Sequence, residues 1–196
     1  MRMVARIVGA CAVALALACP PALAQQQAPP SGGAVPPAPA PPPAAAPGVL
    51  TGPTVPGTQA KIVGPGVAAA PQAAPPQVQQ AIWAGNALQG MPYRYGGGHQ
   101  NFQDTGYDCS GTISFALHGG GLLDVPMDSS GFMGWGLPGP GAWITVFTNP
   151  GHAYVVIAGL RLDTSAANDP GGRKGPRWRK RPRGGTGYTV RHPVGF

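Results

Sequence analysis

A long stretch of proline and alanine sets the first limit on how this chain can fold. Residues 25–76 are built mostly of Pro, Ala, Gly and Gln, with runs such as Pro36-Pro37-Ala38-Pro39-Ala40-Pro41. Proline fixes φ and removes a backbone donor, and such a composition has little apolar surface to bury. The stretch therefore reads as an extended, disordered linker. Ahead of it, residues 1–24 carry the marks of an export signal: Arg2 and Arg6, an uncharged apolar run from Ile7 to Ala18, and Ala22-Leu23-Ala24 as a small-residue cleavage site. The apolar run is too short for a stable transmembrane segment. A lipid-modified Cys19 is the competing use of these residues, although Ala16-Leu17-Ala18-Cys19 matches that pattern poorly. Residues 77–196 remain for a folded domain, about 120 residues, enough for one modest core.

Within that domain the hydrophobic period changes partway along. Val78 to Leu88 has apolar residues at helical spacing and ends at Gly90; Cys109, Ile113, Ala116 and Leu117 share one face of a second helix, closed by Gly119, Gly120 and Gly121. Asp128-Ser129-Ser130 caps a brief turn through Phe132, and the glycine- and proline-rich residues 134–141 read as loop. Beyond them, residues 142–148, 152–158, 161–165 and 187–192 read as strands joined by short turns. Helices followed by strands predict an α+β domain with an antiparallel sheet.

Cysteine usage narrows the chemistry. Cleavage after Ala24 removes Cys11 and Cys19 and leaves Cys109 alone. An exported chain with a single thiol forms no internal disulfide, so that cysteine is either inert filler or there to react. With Asp108 as N-cap, Cys109 falls at the first helical position, where the positive end of the helix dipole favours an anion. The thiolate is the nucleophilic form of cysteine. With no Glu, no cysteine pair and no His-x-x-x-His in the mature chain, neither a metal nor any other cofactor is expected.

A thiol nucleophile needs a base within hydrogen-bond reach, nearly always histidine. His118 lies on the same helix as Cys109 but roughly 13 Å further along it. His192 sits near the C-terminus, and His99 in the loop before the helix. His152 opens a strand, which can aim a side chain, and is the expected base, with His99 second. A two-residue turn at Ala158 and Gly159 puts Asp163 diagonally across from His152 as its orienting partner. A three-residue turn offers Thr164 instead.

With these residues in view the chain resembles the NlpC-like peptidoglycan endopeptidases, cysteine peptidases with a compact papain-like fold. The resemblance covers residues 77–196 and rests on Tyr93-Arg94-Tyr95-Gly96-Gly97, Asp108-Cys109-Ser110-Gly111 and Gly151-His152-Ala153-Tyr154. It implies a papain-like domain with the nucleophile's helix packed on the antiparallel sheet, Cys109 as nucleophile and His152 as base. It makes Tyr93 the tyrosine beside the nucleophile, and sets Asp108 and Ser110 with it among the substrate or oxyanion contacts. The third polar residue, often histidine in the family, falls near Asp163 or Thr164. Residues 141–146 replace the Pro-Gly-Asp turn that many members carry. The implied substrates are cell-wall stem peptides, and the implied location is secreted or periplasmic, associated with the cell wall. A catalytically silent wall-binding module of the same fold is the alternative.

The chain carries 13 Lys+Arg against 6 acidic residues. Arg173, Lys174, Arg177, Arg179, Lys180, Arg181 and Arg183 crowd one short segment, expected either as a solvated loop or as an electrostatic contact with an anionic cell wall. Trp178 inside it suggests base stacking. The export signal argues against nucleic acid.

Overall fold

The computed structural model describes residues 48–164, 175–180 and 183–196. The expected export signal, Cys19, the linker up to Pro47, and Arg173, Lys174 and Arg181 lie outside them.

The proline-rich stretch does not stay extended as far as residue 76. Strands β1 (Thr54–Val55), β2 (Lys61–Gly64) and β3 (Val67–Pro71) form a small sheet in the order β1-β3-β2. Ala68, Ala69 and Ala70 are fully buried. Their small side chains let β3 lie against the first helix, α1 (Pro76–Ala87). Side chains of α1 then supply hydrogen bonds that a proline-rich chain lacks. Asn86 both donates to the Ala68 carbonyl and accepts from its N–H, each at 2.9 Å. Gln80 does the same for Leu50 at 2.8 and 2.7 Å, and Trp83 Nε1 donates to the Pro53 carbonyl at 3.1 Å. The linker expectation therefore fails for at least residues 54–71, where strand pairing, helped by the Asn86 amide on Ala68, satisfies the backbone.

Helix α1 begins with Pro76 at its first turn, where the missing N–H costs nothing. It packs on α2 (Cys109–Gly119), and the expected terminal glycines have two jobs. A Cβ on Gly119 would collide with Ala84, and one on Gly120 with the Gln77 carbonyl, so the helices approach closely there. Gly121 takes the left-handed conformation (φ 67°), with its N–H on the His118 carbonyl and the Leu122 N–H on that of Leu117. This is the paired C-cap of a helix ending in glycine. Asp128 caps α3 (Ser129–Phe132) by accepting from Gly131 N–H at 2.6 Å.

The larger sheet comprises β4 (Leu137–Pro138), β5 (Ile144–Asn149), β6 (His152–Ile157), β7 (Leu160–Asp163), β8 (Arg177–Arg179) and β9 (Thr189–His192). Its order is β4-β9-β5-β6-β7-β8, antiparallel throughout. Helix α2 lies over β6 and β7, burying Ile113 and Leu117 with Val155, Ile157 and Leu162. The fold is α+β, as expected, with helices on an antiparallel sheet.

One expectation is corrected at the sheet edge. The segment read as a basic loop contains β8, with Trp178 and Arg179 each only 6 % exposed. Trp178 joins the core and donates to Asn86 Oδ1 at 2.9 Å, so it offers no face for stacking on a base. A basic sequence becomes an edge strand here because it pairs with β7, alternation turns Trp178 inward, and Arg179 bonds the main-chain carbonyl of Asp163.

Candidate active site

The N-terminus of α2 is built around one carboxylate. Asp108, 3 % exposed, accepts from Gly111 N–H at 2.9 Å through Oδ1 and from Gly96 N–H at 3.0 Å through Oδ2. The glycine motif before the helix and the Asp-Cys-Ser-Gly motif are thereby clamped together. A Cβ on Gly111 would strike the Gly97 carbonyl, which requires glycine at that point. Cys109 is left at the first helical position, half-buried and free. Its N–H has no intrahelical acceptor, as for every residue of a first turn.

His152 comes from the sheet. Asn149 Oδ1 accepts from the N–H groups of Gly151 (3.0 Å) and His152 (2.9 Å), fixing the turn that opens β6. The β6–β7 turn has two residues, Ala158 (φ 46°) and Gly159 (φ 86°), both left-handed. The pairs Val155–Leu162 and Ile157–Leu160 set the register that puts Asp163 diagonally from His152. Asp163 Oδ1 lies 3.0 Å from His152 Nε2, and the carboxylate side chain is 0 % exposed. Thr164 is buried without a hydrogen-bond partner for its hydroxyl among the described residues, and the imidazole contact goes to Asp163.

Burial pulls the pKa of His152 down, but hydrogen bonds to Asp163 and Cys109, with the charges of both, outweigh it and push the value up to about 9. With Nε2 on Asp163, Nδ1 is the ring nitrogen available to sulfur. The structure thus brings Cys109, His152 and Asp163 into one cluster across α2, β6 and β7.

The other expected residues divide. Tyr93 is 46 % exposed, and its backbone bridges to Tyr107 just ahead of Asp108. Ser110 is buried at 2 %, with its hydroxyl at 3.3 Å from Asp108 Oδ1 and 3.0 Å from His99 Nε2. The side chains of Asp108 and Ser110 hold the helix cap together. His118 stacks on Phe102 and hydrogen-bonds the Leu123 carbonyl, and His192 bonds that of Gly139.

Near the cluster lie the second-ranked histidine and a set of arginines that sequence reasoning did not assign to it. His99, the second candidate for the base, has Nε2 3.0 Å from Asp108 Oδ1. Arg161 and Arg183 face Asp163 Oδ2 at 3.4 and 3.3 Å, and Arg179 Nη1 donates to the Asp163 carbonyl at 2.8 Å. The even spacing of Arg161 and Asp163 on one strand was a usable signal; nothing in the sequence pointed from Arg183 to Asp163. A concavity of about 510 Å³ between Ile62, Gln89 and Arg177 shares no lining residue with this cluster.

Comparison with known proteins gives no matching family profile and no matching curated protein. Among solved structures, the chain is similar to the peptidoglycan hydrolase RipB from Mycobacterium tuberculosis, at 23% identity and a TM-score of 0.48, over 61% of this chain and 66% of that one. It is similar to the resuscitation promoting factor interacting protein RipA at 23% identity and a TM-score of 0.43, over 59% and 61% of the two chains. An NlpC family protein from Bacillus cereus aligns at 16% identity and a TM-score of 0.39, over 60% of this chain and 40% of that one. The chain therefore spans under two thirds of the length of these proteins. Among the described residues no helix is long and apolar enough to cross a membrane.

Proposed function

We propose that this chain is an exported cysteine peptidase that hydrolyses amide bonds in the stem peptides of peptidoglycan. The observation that carries the reading is the His152 imidazole, held by Asp163 at 3.0 Å, with its pKa raised in part by Cys109 at the start of a helix. An imidazole with a raised pKa beside a sulfur nucleophile suits a thiolate–imidazolium pair. Sulfur attacks the amide carbonyl carbon and forms a C–S bond. The oxyanion accepts hydrogen bonds from backbone N–H groups at the α2 N-terminus, that of Cys109 among them. His152 passes its proton to the nitrogen as the C–N bond breaks, leaving an acyl-enzyme. Water then attacks, with His152 taking its proton, and the thiol is regenerated.

The substrate class comes from the sequence signature and from the export signal, which would send the chain to the cell envelope. Tyr93, exposed beside the clamped loop, is the residue of the signature best placed to meet substrate. The bond between D-glutamate and diaminopimelate is the first to assay. Purified mature protein incubated with cell-wall sacculi releases stem-peptide fragments, and Cys109→Ala releases none. Release by Cys109→Ala equal to the parent would end the proposal, and wall binding by both proteins without cleavage would select a silent binding module.

A further inference from the structure

The reaction above uses one oxygen of Asp163, and the other faces arginine. Oδ1 lies 3.0 Å from His152 Nε2, while Oδ2 lies 3.3 Å from Arg183 Nη1 and 3.4 Å from Arg161 Nε. Arg161 sits on β7 itself and is nearly enclosed; Arg183 comes from the segment ahead of β9, with its side chain 34% exposed. Its guanidinium carbon is 5.7 Å from the ring centroid of Tyr154 and 5.8 Å from that of Tyr188. Those two rings meet edge to face. The Tyr154 hydroxyl donates to the Arg183 carbonyl at 3.2 Å. Two rings, a buried carboxylate and its own backbone therefore hold this arginine, unlike a loose surface cation.

We propose that Arg183 is a positioning residue for the Cys109–His152 pair, pinning Asp163 through Oδ2 so that Oδ1 keeps the imidazole turned toward sulfur, and limiting how tightly His152 holds its proton. The roles assigned to that pair rest on the function proposed above. A carboxylate with both oxygens engaged cannot swing, so the ring it orients cannot swing either. Imidazolium and guanidinium also share one negative charge, and each weakens the other's hold on it. A histidine that must give a proton to a leaving amine benefits from that competition. Among the described residues, other groups beside His152 and Asp163 are Cys109 on α2, Arg161 on β7, Arg179 on the Asp163 main chain from β8, and Tyr154 and Tyr188. Burial pushes Tyr154 up to about 12, which keeps it neutral through the working range.

The test is an NMR titration of the His152 ring in a Cys109→Ser background, which needs no substrate. Arg183→Gln keeps a donor for Oδ2 but removes the charge, and raises the His152 pKa by about half a pH unit. Arg183→Lys, which keeps the charge, leaves it near the parent value. Tyr188→Leu loosens the clamp and gives a smaller rise of the same sign, which covers the case that Arg183→Gln does not fold. With Cys109 restored, Arg183→Gln lowers kcat several-fold at unchanged KM and moves the alkaline limb upward. An unmoved titration, or a several-fold rise in KM with the titration unmoved, overturns the inference, the latter making Arg183 a substrate contact. A shifted titration in a protein that cleaves nothing would leave the inference standing and remove the proposed reaction.

Discussion

Two buried aspartates in this molecule each hold a histidine at 3.0 Å, Asp108 with His99 and Asp163 with His152. They stand on either side of Cys109, yet their surroundings differ in kind. Asp108 spends its oxygens on backbone N–H groups of Gly96 and Gly111 as well as on His99. A carboxylate only accepts, so His99 must donate to it, and the bond serves to tie a loop to a helix. Asp163 is placed differently. It faces His152 on one oxygen and Arg161 and Arg183 on the other, with its own side chain fully buried. Equal distances therefore conceal unequal work. A carboxylate neutralised by fixed amide dipoles organises the chain, whereas one shared among titratable and cationic side chains sets the proton affinity of its neighbour.

Exchanging the two histidines breaks the comparison most directly. His152→Gln should lower kcat/KM on stem peptides by roughly a thousandfold or more, as expected for the base of a nucleophile–base pair. His99→Gln should cost no more than about tenfold in the same assay. Equal losses would mean that the two pairs share the chemistry. Next in size is Asp163→Asn, which should cost about ten- to a hundredfold and move the alkaline limb of activity below pH 9, because the imidazolium loses its anion. A pH–rate profile of both proteins reads this shift.

Stability gives the converse experiment. Asp108→Ala should destabilise the fold by about 1–2 kcal/mol through the lost cap and the stranded Gly96 and Gly111 donors, measured by urea unfolding. Asp108→Asn should recover part of that loss. A smaller effect distinguishes the other side. The His152 pKa is raised from 6.5 to about 9 in the folded chain, so the paired imidazolium contributes its full stabilisation below pH 6.5. That contribution fades as pH rises through 9. Unfolding followed across this window should show the decline in the parent and lose it in Asp163→Asn.

The clearest parts of the site in the sequence were those fixed over short distances. Asp108 and Gly111 are three residues apart and cap a helix, while Ala158-Gly159 permits the left-handed pair of a two-residue hairpin turn, so Asp163 could be placed opposite Tyr154 by counting. His152 followed from the same alternation. His99 ranked second because nothing in the sequence fixed its loop, and sequence does not reveal that the Asp108 carboxylate serves both the helix cap and this histidine. The folding of residues 54–71 was missed for a related reason. Composition described what those residues lack, while their partners stood on one another's strands and on α1, in Asn86.

By itself the sequence determined the helix that presents Cys109, the strand that presents His152, the turn register and the α+β order of elements. Each depends on φ preferences, capping and hydrophobic period within a few residues. Only the tertiary structure decided that Arg183 would meet Asp163 across 20 positions, that Trp178 would leave a basic segment for the core, and that an alanine-rich strand would find part of its hydrogen bonding on a helix. The physical reason is that charge and donor capacity are local properties, but the partners that satisfy them are brought near only when the sheet closes over α2.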